Sequence, residues 1–334
     1  MIPDELFLKI VRSAVKAPSG HNAQPWLFSR SEEAVCIMPD YQRALPVADP
    51  QQRELFISLG CAAENAMIAA RFYGYSTQLH LDSWDNRFMI KLFLRKDDNQ
   101  EQPELFTYIK YRQTTRNLYD DITIPYDDMI ALKRAVFTSG SEVKFYTGEQ
   151  EISVLAPYIL DANSIQMSDP AYRRELIHWM RFSQREALRK GDGLYAACVG
   201  LPSLGRTAGS FLLRNWVTAG SEERRLRKQL SKTATMALIT TVKDDPAHWI
   251  ETGICFQRLA LTATRLNLNH SFMNAPCQVP ETRFQMMNEM ALEGALPQLL
   301  IRLGYSEKIA YPFRRRIHDV IVTMLPLSSQ INAQ

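Results

Sequence analysis

Apolar residues recur at helical spacing near the start of the chain. The first such stripe consists of Leu6, Phe7, Ile10, Val11 and Ala14. Its spacing predicts an amphipathic helix over residues 4–16. Pro18 follows this stripe, and proline is typical of a helix end because it lacks a backbone N–H. Residues 17–26 are therefore expected to form a loop.

A longer stripe follows Asp49 and Pro50, which are expected to start a second helix. It comprises Leu55, Phe56, Leu59, Ala62, Ala66, Ala69 and Ala70. Gly60 and the neighbouring alanines are small enough for another helix to approach closely, so we expect this helix to be central and buried. Shorter apolar runs at residues 35–38, 77–81 and 89–94 predict strands.

Part of this order returns later in the chain. A second alanine-rich helix is predicted over residues 249–268. The two helices match at one sequence offset, in the pairs Gly60 and Gly253, Glu64 and Gln257, and Ala70 and Ala263. The apolar strand at residues 299–303 likewise resembles residues 90–94. These matches predict two α+β halves around a pseudo-twofold axis, whereas the alternative is that any two alanine-rich helices look alike.

Composition and charge narrow the range of partners. The 334 residues are 46% hydrophobic and 22% charged, with a formal net charge of +3, which is typical of a globular protein and too small to indicate nucleic-acid or membrane binding. The N-terminus has no apolar signal core, and no run approaches the roughly 18 uncharged apolar residues of a membrane span. We therefore expect a cytoplasmic protein, whose partner has to be inferred from local sites.

Cysteine and histidine spacing does not indicate a metal site or a disulfide framework. The five cysteines are Cys36, Cys61, Cys198, Cys255 and Cys277. They are widely spread with no CxxC pair, so reduced and mostly buried thiols are expected. The six histidines are scattered as well, and no HExxH or comparable ligand spacing occurs.

Two polar regions interrupt the helix and strand pattern. Residues 97–111 are polar enough for a linker. Residues 165–233 have little strand pattern and contain the glycine pair Gly191 and Gly193, so they are expected to form a lid or a disordered insertion. The basic run at residues 224–228 follows two glutamates, which favours a solvated helix face over a binding patch.

The loop at residues 17–26 is the first candidate for ligand binding. Pro18, Ser19 and Gly20 favour a helix end and a turn, so backbone amides are free to face a bound group. Asn22 and Gln24 add amide donors and acceptors that could read the edge of a heterocycle. The alternative is an ordinary connection in which Trp26 is the first core residue.

Arginines provide the second candidate site, since the chain has neither a GxGxxG motif nor a Walker-type loop. In an extended segment Arg112, Thr114 and Arg116 point to one side, because side chains alternate with period two. Two guanidinium groups and a hydroxyl on one face could clamp a phosphate and a polyol. The alternative is a charged surface turn. A further basic run spans Arg314 to Arg316.

Taken together, these segments resemble the FMN-dependent nitroreductase family and most closely its Acg-like subgroup, in which two nitroreductase-like halves are fused. The resemblance is carried by residues 17–26, 43–50 with Arg53, 112–116, the helix near Gly253, 299–305 and 314–316. It implies a nitroreductase-like α+β fold with two pseudo-twofold-related halves and central mixed or antiparallel sheets flanked by helices. The halves would be residues 1–110 and 111–334, the second with a lid insertion near residues 165–233.

The resemblance also implies one FMN per chain. The first half has the Pro-Ser-x-x-Asn loop, with Pro18, Ser19, Gly20 and Asn22, but no RxSxR motif. The second half has the arginine motif, while residues 137–140 stand where its own loop would be. One competent site would remain, with Ser19 and Asn22 contacting the flavin from the first half.

By the same resemblance, Arg112 and Thr114 would hold the phosphate and ribityl end of FMN. Arg314 and Arg316 would add phosphate contacts. Arg116 would lie near the flavin pyrimidine, where a cation favours the anionic reduced flavin and raises its reduction potential. The backbone of Met273, Asn274 and Ala275 would face the flavin N5 edge, although the family usually has a Glu-Gly pair there and this chain departs from it.

The implied activity is an FMN-binding oxidoreductase. NAD(P)H would reduce the flavin through N5, and a nitroaromatic, a quinone or a similar small-molecule acceptor would reoxidise it in a ping-pong cycle. No side chain is singled out as catalytic, and no metal is implied. The alternative is a protein that sequesters FMN under the lid insertion without useful turnover. A fused pseudo-dimer needs no partner chain, so a monomer is expected, with a homodimer as the alternative.

Overall fold

A computed structural model of the protein describes residues 2–84, 87–136 and 140–323. Within these ranges the α-helices are α1 (Asp4–Ala14), α2 (Arg53–Phe72), α3 (Tyr126–Ala135), α4 (Gly148–Ser153), α5 (Ala156–Ser168), α6 (Pro170–Trp179), α7 (Gln184–Lys190), α8 (Arg206–Trp216), α9 (Ala219–Leu230), α10 (Pro246–Arg265), α11 (Ala275–Gln278) and α12 (Pro280–Glu289). Residues 137–139, from the segment in place of a second loop, lie outside the described residues.

The strands are β1 (Trp26–Arg30), β2 (Ala34–Pro39), β3 (Tyr75–Trp84), β4 (Arg87–Lys96), β5 (Glu142–Thr147), β6 (Met180–Arg181), β7 (Leu194–Tyr195), β8 (Thr235–Thr241), β9 (Asn269–Phe272) and β10 (Leu296–Gly304). Short 3-10 helices occur at Gly20–Asn22, Tyr41–Arg43, Glu104–Lys110, Ala196–Val199 and Ile317–Asp319. The predicted α+β class is confirmed, with helices around two four-stranded sheets.

The first helix follows its predicted pattern. The whole predicted stripe of α1 is buried, and the helix ends at Ala14 with Val15 as its C-cap. The second predicted helix begins later than expected, at Arg53 instead of Asp49. The Asp49 carboxylate accepts a hydrogen bond from the backbone N–H of Leu55 at 2.9 Å, so this acidic residue satisfies a donor of the first turn from outside the helix.

The two sheets have the same arrangement of strands. The first has the order β1-β2-β4-β3 and the second β5-β8-β10-β9, and neighbouring strands are antiparallel in both. The predicted strands at residues 35–38, 77–81, 89–94 and 299–303 lie within β2, β3, β4 and β10. Strand β1 was not predicted: the loop was expected to extend to Trp26, where the strand begins, and residues 27–30 were not assigned to an element.

The helices α2 and α10 cross at their glycines. An added Cβ at Gly60 would lie 2.1 Å from the carbonyl oxygen of Ile250, and one at Gly253 would lie 2.0 Å from that of Ile57. Each glycine thus faces the residue three positions before the other glycine. The close approach predicted from the small residues of α2 is confirmed, and glycine is required on both helices.

Polar pairs continue this reciprocal contact. Glu64 accepts hydrogen bonds from the Arg258 guanidinium at 2.7 and 3.2 Å. Gln257 donates from its amide to the Asn65 side-chain oxygen at 2.7 Å. The two pairs occupy exchanged positions on the two helices, since Glu64 and Gln257 share one offset. The pairing satisfies both oxygens of Glu64 and the Gln257 amide nitrogen, while the Gln257 side-chain oxygen is buried without a partner among the described residues.

Among the described residues, α2 is the helix that is long and apolar enough to cross a membrane. Of the 18-residue stretch that meets this criterion, 89% is buried inside the protein. The stretch includes the charged residue Glu64, so the expectation that no uncharged apolar run of membrane-spanning length occurs still holds. Its burial comes from the protein itself: α2 packs in the main apolar cluster with α1 and α10. We therefore describe it as a core helix.

The C-terminal segment returns to the first sheet. Phe28 donates its backbone N–H to Val320 and accepts from Val322, at 2.7 and 2.9 Å. Residues 312–316 consequently run past the loop that follows α1. The region at 97–111 also packs against the core, with Phe106 stacked on Phe72 at 3.8 Å between ring centroids, so it is not a loose linker.

Candidate functional site

A cavity lies where the loop after α1, the 112–116 segment and the C-terminal segment meet. Its empty volume is about 1000 Å³, part of it open to solvent. The predicted site residues that line it are Pro18, Ser19, Gly20, Asn22, Arg112, Thr114, Arg116, Asn274 and Arg314. Residues nearly 300 positions apart in the sequence thus line one cavity.

The end of α1 orients two of the arginines. Arg314 donates to the backbone carbonyls of Val15, Lys16 and Ala17 at 3.0 to 3.3 Å. Arg112 donates to the Lys16 carbonyl as well, at 3.1 Å. The last carbonyls of a helix have no partner within the helix and carry partial negative charge. They hold the guanidinium groups in place without neutralising them.

Strand β9 fixes the segment that carries Arg112, Thr114 and Arg116. The backbone N–H of Thr115 donates to the His270 carbonyl at 2.9 Å, and the Thr115 hydroxyl donates to the Asn269 side chain at 3.3 Å. With Thr115 turned into the protein, its two neighbours at alternate positions face the cavity. The predicted alternation along this segment is present.

The cavity arginines have no carboxylate partner among the described residues: no ion pair within 4.0 Å involves Arg112, Arg116 or Arg314. Burial lowers the pKa of Arg112 and of Arg116 to about 10, and a repulsion from Arg225 adds to the effect at Arg116. Burial and the nearby Arg112 lower the pKa of Arg314 to about 9. A bound anion would offset this cost, because an opposite charge favours the charged form.

Asn22 fastens three distant segments together. Its side-chain N–H groups donate to the carbonyls of Gly193 and Phe313 at 3.0 and 3.1 Å, and its oxygen accepts from Arg314 at 2.7 Å. These bonds use both amide hydrogens and one acceptor position. Asn22 lines the cavity, yet most of its hydrogen-bonding capacity is used within the protein. This corrects the interpretation that its amide is free to hydrogen-bond the edge of a heterocyclic ligand.

Gln24 has the same fastening role and does not line the cavity. It is fully buried. Its amide donates to the Gly191 carbonyl at 2.8 Å and accepts from the backbone N–H of Arg315 at 2.9 Å. The expectation that Gln24 reads a heterocycle is therefore wrong, because its polar atoms are occupied by the insertion and the C-terminal segment.

Asp192 secures the insertion to the first half of the chain. Its carboxylate pairs with Arg43 and with Arg181, and the Arg181 distances are 2.6 and 2.9 Å. The adjacent glycines have positive φ angles of 66° and 75°, and an added Cβ on Gly191 would lie 2.7 Å from the Arg314 carbonyl. The glycine pair in the insertion therefore permits close docking against the C-terminal segment.

His21 contributes an unpaired imidazole nitrogen. It lines the cavity, and its Nε2 atom is buried with no hydrogen-bond partner among the described residues. Its backbone lies in the left-handed region with φ of 48°, which costs a non-glycine residue of order 1 kcal/mol. Burial, and to a lesser extent Arg116, lowers the pKa of His21 to about 4, so the ring is neutral at neutral pH.

Apolar side chains form much of the remaining wall. They are Ile57, Leu194, Tyr195, Phe256, Phe272 and Leu299. A flat ring system is well accommodated by such surfaces, whereas its polar tail needs charged groups. The cavity therefore combines an arginine-rich part with an apolar part, as an amphipathic ligand requires.

Three predicted residues lie outside the cavity lining. Met273 is buried in an apolar cluster beneath the second sheet. Ala275 begins α11, and Arg316 is exposed to solvent. Between the two predicted arginines of that run, Arg315 pairs with Asp40 at 3.1 Å. Of the three consecutive arginines at 314–316, Arg314 is therefore the one whose side chain lines the cavity.

Several lining residues were not predicted. They are Glu54, Ser58, Cys61, Gly193, Leu194, Tyr195, Cys198, Gln278 and Pro312, together with the rest of the apolar wall, whereas His21 was expected at the rim without an assigned role. Those at 193–198 come from the insertion, and the glycine pair at 191 and 193 was the sequence signal that could have pointed to them. Glu54 and Ser58 lie on the first turns of α2 and carried no such signal.

No protein-family model matches the chain. Two proteins of Mycobacterium tuberculosis are similar to almost all of it. The one named "Putative NAD(P)H nitroreductase Rv3131" is 23% identical over 332 residues, covering 96% of this chain and 92% of that protein. The one named "Putative NAD(P)H nitroreductase acg" is 23% identical over 327 residues, covering 93% and 92%. This chain is thus similar over almost its whole length to proteins named as putative NAD(P)H nitroreductases.

Two solved structures resemble part of this chain. A nitroreductase with bound FMN from Bacteroides fragilis is 16% identical and has a TM-score of 0.42, covering 67% of this chain and 100% of that one. The FMN-dependent nitroreductase NfnB from Mycobacterium smegmatis, in complex with NADPH, is 15% identical and has a TM-score of 0.39, covering 60% and 86%.

Proposed function

We propose that this Acg-like protein is an FMN-dependent oxidoreductase that uses NAD(P)H to reduce a small-molecule acceptor, with nitroaromatics and quinones as candidate classes. The observation that carries the proposal is the convergence of Arg112, Arg116 and Arg314 on one cavity without a carboxylate partner among the described residues. Buried charges without partners are costly, and a phosphate group supplies the missing negative charge. The full-length similarity to proteins named as NAD(P)H nitroreductases supports the same conclusion.

The residues present fit FMN. The Arg112 Nε atom is buried without a partner, which leaves a donor for a phosphate or ribityl oxygen. Thr114 adds a hydroxyl on the same face, and the Ser19 hydroxyl keeps its hydrogen because it accepts from the Gln24 backbone at 2.9 Å. The aromatic wall then suits a flat ring. When bound, FMN would supply the redox chemistry, alternating between NAD(P)H and the acceptor through N5.

The protein's own contribution is positioning and electrostatics. Arg112 and Arg314 would hold the phosphate, because the carbonyls after α1 already fix their guanidinium groups. Arg116 has no hydrogen-bond partner for its side chain among the described residues, so its charge is free to act on the ligand. Beside a flavin pyrimidine it would favour the negatively charged reduced form and raise the reduction potential.

Asn274 occupies the position where the resemblance implies an acidic residue. Its side-chain oxygen accepts from the Leu300 backbone N–H at 3.0 Å, and its amide donates to Glu54. We propose that its backbone remains available for the N5 edge of the flavin, with Met273 and Ala275 acting only as its neighbours. Arg316 stays in the proposal as an outer phosphate contact of lesser weight, since it is exposed.

The two halves remain a proposal for the organisation of the chain. We propose that residues 1–110 and 111–334 replace the two subunits of a dimer, so that the chain acts as a monomer. The reciprocal glycine contact of α2 and α10 and the matched strand orders support this proposal. Light scattering at several concentrations tests it, and a concentration-independent dimer would contradict it.

The activity is tested by steady-state oxidation of NADPH with a nitroaromatic and with a quinone. Acceptor-dependent oxidation by the FMN-loaded protein supports the proposal. If flavin is retained and no acceptor is reduced, the oxidoreductase assignment fails. The matched control is the Arg112→Met variant loaded with the same FMN concentration, whose rate should fall with its flavin content.

A second candidate function is sequestration of FMN without turnover. The insertion favours it, because Gly193, Leu194, Tyr195 and Cys198 line the cavity and Asn22, Gln24 and Asp192 hold the insertion closed. A Tyr195→Ala variant separates the candidates. Acceptor reduction that begins only in this variant supports a closed lid and storage, whereas equal rates in both proteins exclude the lid as a barrier.

A further inference from the structure

Glu54 is the acidic side chain among the residues that line the cavity. It lies on the first turn of α2. Its Oε1 atom accepts from the side-chain amides of Asn274 and Gln278, at 2.5 and 2.6 Å. No described residue donates to the other oxygen, Oε2. One carboxylate oxygen is therefore fixed by the protein while the second keeps its acceptor capacity.

The free oxygen faces the loop that begins the site. An added Cβ at Gly20 would lie 3.3 Å from Glu54 Oε2 and 2.9 Å from the side chain of Leu45. A larger residue at position 20 would crowd this oxygen. Glycine at this position therefore leaves open the space between the loop and the carboxylate, and both residues line the cavity.

Positive and negative charges lie in different parts of the cavity. Glu54 forms no ion pair within 4.0 Å with Arg112, Arg116 or Arg314, as the described residues show. The arginines contact the carbonyls after α1, whereas Glu54 contacts the residues after β9. The cavity thus has a basic end and an acidic end.

Neighbouring carboxylates extend the acidic end. Burial, and next to it the charge of Glu54, raises the pKa of Asp49 to about 6. Burial also raises the pKa of Tyr172, with Glu54 and Glu175 as the next causes. These shifts show that Asp49 and Tyr172 lie near Glu54, although Asp49 and Glu175 do not line the cavity themselves. A ligand group entering there would meet a negative potential.

We propose that the Glu54 end of the cavity is the subsite for the electron acceptor and that it selects acceptors bearing a positive charge or an N–H donor over anionic acceptors. The proposal rests on the oxidoreductase function above. In the loaded protein the FMN phosphate would offset the charges of Arg112 and Arg314, and Arg116 would face the flavin pyrimidine, which leaves Glu54 as the charged group for a second ligand. Its free oxygen would accept the hydrogen bond of an amine, amidine or amide.

Three planar probes of the same shape test this selection: benzamidine, benzamide and benzoate, which are cationic, neutral and anionic. Their dissociation constants are measured on the FMN-loaded protein from the change in the visible flavin spectrum. We expect benzamidine to bind at least tenfold more tightly than benzoate, with benzamide between them. The preference should shrink as salt is raised, because part of the site is open to solvent.

The Glu54→Gln variant removes the charge and keeps the shape. Its benzamidine-to-benzoate ratio should fall close to one, while its FMN content stays that of the wild type. The matched control is Glu5→Gln, an exposed residue at the start of α1, which makes the same change in net charge and should leave the ratio intact. If Glu54→Gln fails to fold, the benzamidine-to-benzoate ratio measured on the wild-type protein still tests the selection.

Each other outcome overturns the proposal. Benzoate binding as tightly as benzamidine contradicts the selection. If the benzamidine-to-benzoate ratio is unchanged in Glu54→Gln, the selection is due to other groups. If the variant also loses FMN, Glu54 contacts the cofactor and not the acceptor. Absence of benzamidine binding also overturns it. The oxidoreductase function is judged separately, by NADPH oxidation with a neutral nitroaromatic, so either can fail alone.

Discussion

The side-chain oxygen of Asn22 accepts a hydrogen bond from Arg314 at 2.7 Å across 292 positions of sequence. This contact joins the loop after α1 to the C-terminal segment. The same amide holds Gly193 of the insertion. A residue expected to read a ligand therefore builds the cavity that receives it, and its loss should affect stability and cofactor binding together.

The Asn22→Gly variant removes these three bonds without straining the backbone, since Asn22 has a φ of 54° that glycine accepts. We expect a loss of about 2 to 3 kcal/mol in the free energy of unfolding, because each bond contributes about 1 kcal/mol. Denaturant unfolding measures it. The control is Asn99→Gly on an exposed residue, which should change stability by less than about 1 kcal/mol. If Asn22→Gly and Asn99→Gly lower the free energy of unfolding equally, the hydrogen bonds of Asn22 do not stabilise the protein as described.

Arg112→Met separates cofactor binding from folding. The affinity for FMN should fall about 100-fold, because a charged contact to phosphate contributes up to about 3 kcal/mol. The cofactor-free variant should be no less stable than cofactor-free wild type, since an uncompensated buried charge is removed. Flavin titration and thermal unfolding measure the two effects. Arg224→Met, on the exposed face of α9, is the control and should bind FMN normally.

The glycine crossing of α2 and α10 predicts two severe substitutions. Gly60→Ala and Gly253→Ala each place a Cβ about 2 Å from a carbonyl oxygen, so the helices must separate. We expect each to cost more than about 3 kcal/mol in the free energy of unfolding or to prevent folding. Gly220→Ala in α9 meets no atom within 4 Å and should be neutral or slightly stabilising. Wild-type stability in Gly60→Ala would contradict the crossing.

His21 predicts a pH dependence of stability. Its pKa is lowered from 6.5 to about 4 in the folded protein, so the unfolded chain takes up a proton first as the pH falls. Stability should be constant above pH 6.5 and decline between 6.5 and 4, by up to about 3 kcal/mol from this group.

The variant His21→Asn isolates this effect, because asparagine tolerates the left-handed backbone. Its stability should decline less than that of wild type over the same pH range, while His270 contributes equally to both proteins. Parallel stability curves for the two proteins would show that His21 is not buried as described. Chemical denaturation at a series of pH values provides the measurement.

Local periodicity predicted much of this structure. The stripe of α1, the small residues of α2 and the alternation of Arg112, Thr114 and Arg116 depend on neighbours within a few positions, so the sequence carries them directly. The same holds for the match between Gly60 and Gly253, where one offset indicated two helices with a common pattern.

Contacts between residues far apart in the sequence could not be predicted from local periodicity. Gln24 was interpreted as a ligand contact, whereas its amide bonds with Gly191 and Arg315. These two hydrogen bonds form only when distant segments fold together, so the local sequence does not indicate them. Glu54 gave no signal, since its position in the cavity depends on how α2 meets the residues after β9. For Arg316 the resemblance indicated a phosphate contact, while the local chain direction turns it to solvent.

The visible absorbance spectrum of the purified protein tests the central claim most directly. The account predicts a yellow protein that releases one FMN per chain on denaturation, and an Arg112→Met variant that is largely colourless yet folded. A colourless wild-type protein that also fails to bind added FMN would contradict it.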